Sequence, residues 1–115
     1  MLTSNFVDVN NCRTKEYVIK MWREKRAAFD KRLVEIATIF HNKKRSDYKE
    51  ILGTTINCDN IDKYKCATVS FRTELEDGKI ILASFTFLSD YYYLSDDEVM
   101  GIDDSKIIYR EKMEQ

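Results

Sequence analysis

The residues of this chain able to do chemistry near neutral pH are few: three cysteines, one histidine, a run of acids near the C-terminus, and a serine three positions before a lysine. Cys12, Cys58 and Cys66 form an odd set without a C-x-x-C pair, and His41 alone cannot complete a structural zinc shell. A thiolate–imidazole pair would make a nucleophile, but no spacing brings His41 to Cys58 or Cys66. His41 instead ends a helical pattern, where a cation complements the helix dipole. A Cys58–Cys66 disulfide across a loop is the lesser reading. The odd count fits a reducing cytoplasm, as does a start without basic and apolar leader regions.

Asp96-Asp97-Glu98-Val99-Met100-Gly101 has the outline of a calcium loop. Counted from Asp96, however, the fifth and twelfth positions are Met100 and Ile107, which supply no oxygen. A looser cation site at Asp96, Asp97, Asp103 and Asp104 is weaker than a capping box, Ser95-x-x-Glu98, that starts one helical turn. Ser46-Asp47-Tyr48-Lys49 has the S-x-x-K spacing of serine acyl enzymes. The accompanying S-D-N and K-T-G motifs are missing, so Ser46 reads as a helix cap. Glycine occurs at 53, 78 and 101, never in the cluster a phosphate loop needs. The sequence calls for no cofactor and no metal, and the protein is expected not to be an enzyme.

The elements that must position these residues follow from periodicity. Val18, Trp22, Phe29, Leu33, Ile36 and Phe40 recur at helical steps, and Met21, Ala28 and Ile39 widen one edge of the stripe. The spacing predicts a helix over 14–43, with Thr14 as N-cap and Glu16 in the first turn. Lys25 and Arg32 fall at or near the stripe, so they either snorkel or mark a bend. Ser46 to Gly53 reads as a second, short helix, and 54–64 as loop with a short strand at Thr54–Ile56. Ala67, Val69, Phe71 and Thr73 then alternate with polar residues as in a half-buried strand. Asp77-Gly78 reads as a two-residue hairpin turn, with Lys79 to Leu88 returning. That register pairs Glu76 with Lys79. It sends Ile80, Leu82 and Leu88 to the helix side and leaves Ile81, Ala83, Phe85 and Phe87 on the outer face. Tyr91-Tyr92-Tyr93 continues or restarts the sheet, and Lys106–Arg110 forms a last strand.

The expected fold is α+β: a long amphipathic helix and a short one on three or four antiparallel strands, in two layers. Cystatin-like and NTF2-like folds share this helix-then-sheet order, as an analogy of shape only. The 115 residues suit a single domain, helical over 14–53 and β-rich over 54–115, with 43% apolar and 34% charged residues. No apolar run reaches the ~20 residues that span a bilayer. Residues 1–55 hold twelve Lys/Arg against seven Asp/Glu, and residues 56–115 hold seven against thirteen. The halves either face apart as a dipolar field or neutralise each other in the fold.

Function follows by subtraction. The leading expectation is a non-enzymatic protein-binding module: a stoichiometric inhibitor, an immunity protein or a phage-encoded antagonist. Twelve Lys, eleven Ile and no Pro fit an AT-rich genome. Its binding surface would be acidic and aromatic, with Tyr91, Tyr92, Tyr93, Asp96 and Asp97, joined by the apolar patch Ile81, Phe85 and Phe87. The partner would be a basic protein, or a second copy docked on the sheet. Nucleic acid held by Lys20, Arg23, Lys31, Lys43, Lys44 and Arg45 is an alternative. A ligand pocket or enzyme site between helix and sheet is another.

Overall fold

The amphipathic stripe does wind into a helix. The computed structural model describes Lys20, residues 23–58 and residues 66–114. Helix α1 spans Arg26–Lys44 and buries Phe29, Leu33, Ile36, Ala37, Phe40 and His41. Its end agrees with the sequence reading to one residue. The expected start, with Thr14, Glu16, Val18, Met21 and Trp22, lies outside the described residues. Arg23 and Glu24 are helical, but Lys25 breaks the run at φ −131°, ψ 50°. The bend therefore falls where the charged residue interrupts the stripe. Ala28 is exposed, because burial begins only at Phe29.

Four strands follow, β1 (Tyr48–Asn57), β2 (Cys66–Leu75), β3 (Ile80–Leu88) and β4 (Ile108–Met113), paired antiparallel in the order β1-β2-β3-β4. The expected helix at Ser46–Gly53 is corrected: the chain turns at Ser46–Asp47 and enters β1. Tyr48, Ile51 and Leu52 stand at helical steps, which misleads. Register shifts between Tyr48 and Glu50 and between Ile51 and Gly53 break the strand alternation and disguise β1. The short helix is α2 (Asp96–Met100), opened by the expected capping box. The tyrosine run is a 3-10 turn, Ser89–Tyr93, rather than strand.

The hairpin register is also corrected. The Leu75 amide donates to the Lys79 carbonyl at 2.8 Å, and Gly78, at φ +89°, donates to the Leu75 carbonyl at 2.9 Å. The turn thus holds three residues, Glu76 to Gly78, the last in the left-handed conformation glycine favours. Ala67 pairs with Phe87, Val69 with Phe85, Phe71 with Ala83, and Thr73 with Ile81. A one-residue slip exchanges faces, so Ile81, Phe85 and Phe87 are core, at 0%, 0% and 2% exposure. They form no exposed patch and no sheet-to-sheet contact. Ile80, Leu82 and Leu88 take the outer face instead.

The core lies between α1 and this inner face. The Phe40 ring meets Phe87 edge-on at 5.5 Å and lies 6.4 Å from Phe85. Tyr109 of β4 closes the edge, 4.9 Å from Phe85. Asn57 pairs with Thr68, so Cys58 follows on the core side, while Cys66 shares the outer face with Thr68 and Ser70. Both remain thiols.

The two registers predict opposite mutational patterns. Phe85→Ala is expected to cost about 3–5 kcal/mol, as for a large side chain lost from a core. Leu82→Ala, on the outer face, should cost about 1 kcal/mol or less. Urea unfolding of the two variants checks this, and equal losses would contradict the three-residue turn.

Candidate functional site

The acidic segment after β3 is tied to the helix by the basic residues of α1. Residues 32 and 43 are eleven apart, three helical turns, and therefore share a face. The Arg32 guanidinium donates to Asp96 at 2.7 Å, to the Leu94 carbonyl at 2.8 Å and to Glu35 at 3.1 Å. Lys43 Nζ donates to the carbonyls of Met100 and Ile102 at 2.9 and 3.1 Å. Lys44 pairs with Asp104 at 3.1 Å and lies over the Tyr109 ring, and Arg45 pairs with Asp47 and Glu111 at 3.0 and 3.2 Å. The two oppositely charged parts of the chain thus neutralise each other inside the fold. Of the residues expected to meet phosphates, Lys43, Lys44 and Arg45 are engaged in these bonds. Lys20, Arg23 and Lys31 are exposed.

The acids have structural partners of their own. Ser95 Oγ accepts the Glu98 amide at 3.2 Å, and the Glu98 carboxylate accepts the Ser95 amide at 2.9 Å, closing the box at the start of α2. Asp103 accepts the Ser105 amide at 2.8 Å, which holds its carboxyl below the ordinary range. Val99 points into the core, which fixes α2 against α1 and leaves Asp96 and Asp97 outside.

An open groove runs where these helices meet. It is lined by Lys31, Val34, Glu35, Thr38 and Ile39 of α1 and by Asp96 of α2, with a volume of about 620 Å³. Val34 and Ile39 form an apolar floor, half-buried against the core. Thr38 Oγ1 donates to the Val34 carbonyl at 2.7 Å, so its hydroxyl is satisfied within the helix. The Glu35 and Asp96 side chains stand 49% and 70% exposed on the rim. Of this set, Asp96, Lys31 and Ile39 carried a signal in the sequence. Val34, Glu35 and Thr38 did not, because one flank of a helix becomes a groove only when a second element closes it.

The tyrosines divide. Tyr91 is buried, its ring parallel to Phe87 at 6.2 Å, and burial raises its phenol pKa. It is not a surface residue as expected. Tyr92 packs on Phe29 at 5.0 Å and meets Tyr93 edge-on at 5.1 Å; both are half-buried. Arg32, through Leu94 and Asp96, joins this turn to the groove.

His41 is not a cationic helix end. It is fully buried, with rings of Tyr48, Phe71 and Phe85 at 4.5, 5.2 and 6.0 Å. Its Nε2 hydrogen-bonds Thr73 Oγ1 at 3.0 Å, and Nδ1 has no partner. Burial, then the nearby Arg45 charge, lowers its pKa below the ordinary 6.5, so the imidazole is neutral at pH 7. The unfolded chain takes up a proton near pH 6.5 that the folded chain refuses. Stability is therefore full above about pH 6.5 and declines as pH falls toward the folded value. With one histidine in the chain, its imidazole proton resonance should titrate below 6.5 when folded and near 6.5 in urea. His41→Phe should flatten the decline between pH 7 and 5. A folded value at or above 6.5 would contradict this environment.

Among the described residues no group of His, Cys, Asp and Glu is placed to hold a metal ion, and no helix is long and apolar enough to cross a membrane. Compared with protein-family models, curated proteins and solved structures, the chain has no match in any of the three.

Proposed function

We propose that the protein is a non-enzymatic protein-binding module whose α1–α2 groove receives a basic, partly apolar segment of a partner protein. It acts stoichiometrically, as an inhibitor or immunity protein does. The observation that carries this reading is the groove's chemistry: an apolar floor of Val34 and Ile39 beneath the carboxylates of Glu35 and Asp96. Asp97, next to Asp96 at the start of α2, adds a third exposed acid just outside the groove's lining. An amphipathic segment with cations flanking an apolar stripe would bury the floor and meet the exposed oxygens of the rim carboxylates, each of which Arg32 holds through one oxygen, on the side away from Lys31. The walls are held by the core and by Arg32, so little ordering cost falls on this side of the complex.

The test is capture from a lysate of the source cells, with and without nuclease, by the tagged protein and by a Thr38→Arg/Asp97→Lys variant. The variant fills the groove and reverses one charge, at positions that are half-buried and exposed. Its melting temperature should stay within a few degrees of wild type. Expected is one protein recovered in equimolar amount by wild type, indifferent to nuclease and reduced at least tenfold on the variant. Equal recovery by both would remove the groove from the interaction. Signal lost with nuclease would favour nucleic acid on the exposed Lys20, Arg23 and Lys31.

A further inference from the structure

The corrected register leaves a second surface, on the side of the sheet away from α1. Its central rows hold Thr68 opposite Thr86 and Ser70 opposite Ser84. The facing hydroxyls bond each other, both pairs at 2.8 Å. Arg72 reaches across β3 to Glu114, donating through Nε and a terminal nitrogen at 2.9 and 2.7 Å. These polar groups already have protein partners, so covering them costs far less than covering groups that depend on water. Apolar side chains lie among them: Leu82 and Ile108 stand 38% and 53% exposed, and Ile80 and Leu88 are half-buried.

The charges left on this face are segregated. Glu50 and Glu74 are paired neighbours on β1 and β2, while Arg110 and Lys112 lie on β4, opposite Ser84 and Leu82 of β3. No ion pair of these four occurs among the described residues. The acids thus lie on the β1–β2 half of the face and the bases on β4 in the other half, each half the complement of the other. A two-fold axis parallel to the strands, applied to the order β1-β2-β3-β4, lays β1 of one copy over β4 of the next. The half bearing the acids then lies over the half bearing the bases, β1 on β4 and β2 on β3, and the hydroxyl-and-leucine centre meets itself, in the aligned packing usual for two sheets. A heterologous partner would need its own matching pair of halves; a second copy has them by construction.

We infer that the outer face of the sheet docks a second copy of this chain, face to face, as an isologous dimer. Four strands and eight residues of length give about 500 Å² per copy at ordinary strand spacings. The total of about 1,000 Å² is near the lower bound for a specific interface. An interface of that small size suits a weak dimer, so association is expected in the micromolar range. The groove lies on the helix side, so dimerisation leaves it open and does not depend on the proposed binding function.

Sedimentation velocity of the full chain from 1 to 500 µM tests this. The expected result is a rise from 13.6 kDa toward twice that mass. Leu82→Asn/Ile108→Asn should weaken association at least tenfold with the melting temperature little changed. Arg110→Glu/Lys112→Glu should weaken it similarly. Adding Glu50→Lys/Glu74→Lys to that second variant should restore it, a rescue that general damage to the fold cannot produce. A monomer at every concentration overturns the inference. So does a dimer indifferent to all these changes, which would be joined elsewhere.

Discussion

The pairing of β2 with β3 is the constraint on which everything else depends. Leu75 and Lys79 close a three-residue turn, and this sends Val69, Phe71, Phe85 and Phe87 to the same side. Had the turn held two residues, the aromatics of β3 would face outward and α1 would meet a shallower layer of leucines. The side chain of Phe40 needs the Phe85 and Phe87 rings where they are. Once that packing is set, the outer face inherits the serines and threonines, and its polar ladder and exposed Leu82 are consequences of the same turn.

A second layer of constraint is electrostatic and ties distant parts of the chain together. Apolar packing is non-directional and would tolerate several placements of the segment after β3. Arg32 and Lys43 restrict it by offering donors three turns apart to Leu94, Asp96, Met100 and Ile102. Exposed ion pairs contribute little individually, about 0–1 kcal/mol. Arg32 is different in kind, because its side chain is mostly buried and its bonds reach a main-chain carbonyl. The cost of losing it includes leaving the Leu94 oxygen without that donor. Holding α2 in place is also what turns the flank of α1 into a groove.

Local signals were legible in the sequence wherever the physics is local. The stripe of α1, its end near Lys44, the capping box at Ser95 and the existence of the β2–β3 hairpin depend on neighbours within a few residues. The misses share a different cause. β1 is an edge strand whose register shifts hide its alternation, so its identity comes from pairing with β2. An Asp-Gly pair marks a turn but does not say whether Glu76 belongs to it, and one residue decides which face is buried. Tyr91 to Tyr93 carry no periodic signal, and their 3-10 turn follows from packing on Phe87 and Phe29. The partners of Arg32, Lys43 and Lys44 lie about sixty residues away in sequence, beyond any motif.

His41 shows how a core can trade stability for definition. An apolar residue there would pack against Tyr48, Phe71 and Phe85 without leaving Nδ1 unpartnered, a deficit that costs about 1–3 kcal/mol for a buried polar group. What the imidazole adds is direction. Its bond to Thr73 joins the last turns of α1 to the hairpin end of β2 on the inner sheet face, in surroundings dry enough to strengthen it. Aromatic contacts alone would allow the helix to rotate or slide by a fraction of a turn over β2 and β3. Such a shift would carry Val34, Thr38 and Ile39 with it and change the shape of the groove. The buried His41–Thr73 pair resists that rotation from inside the core, so the geometry of the surface site rests on a bond it never touches.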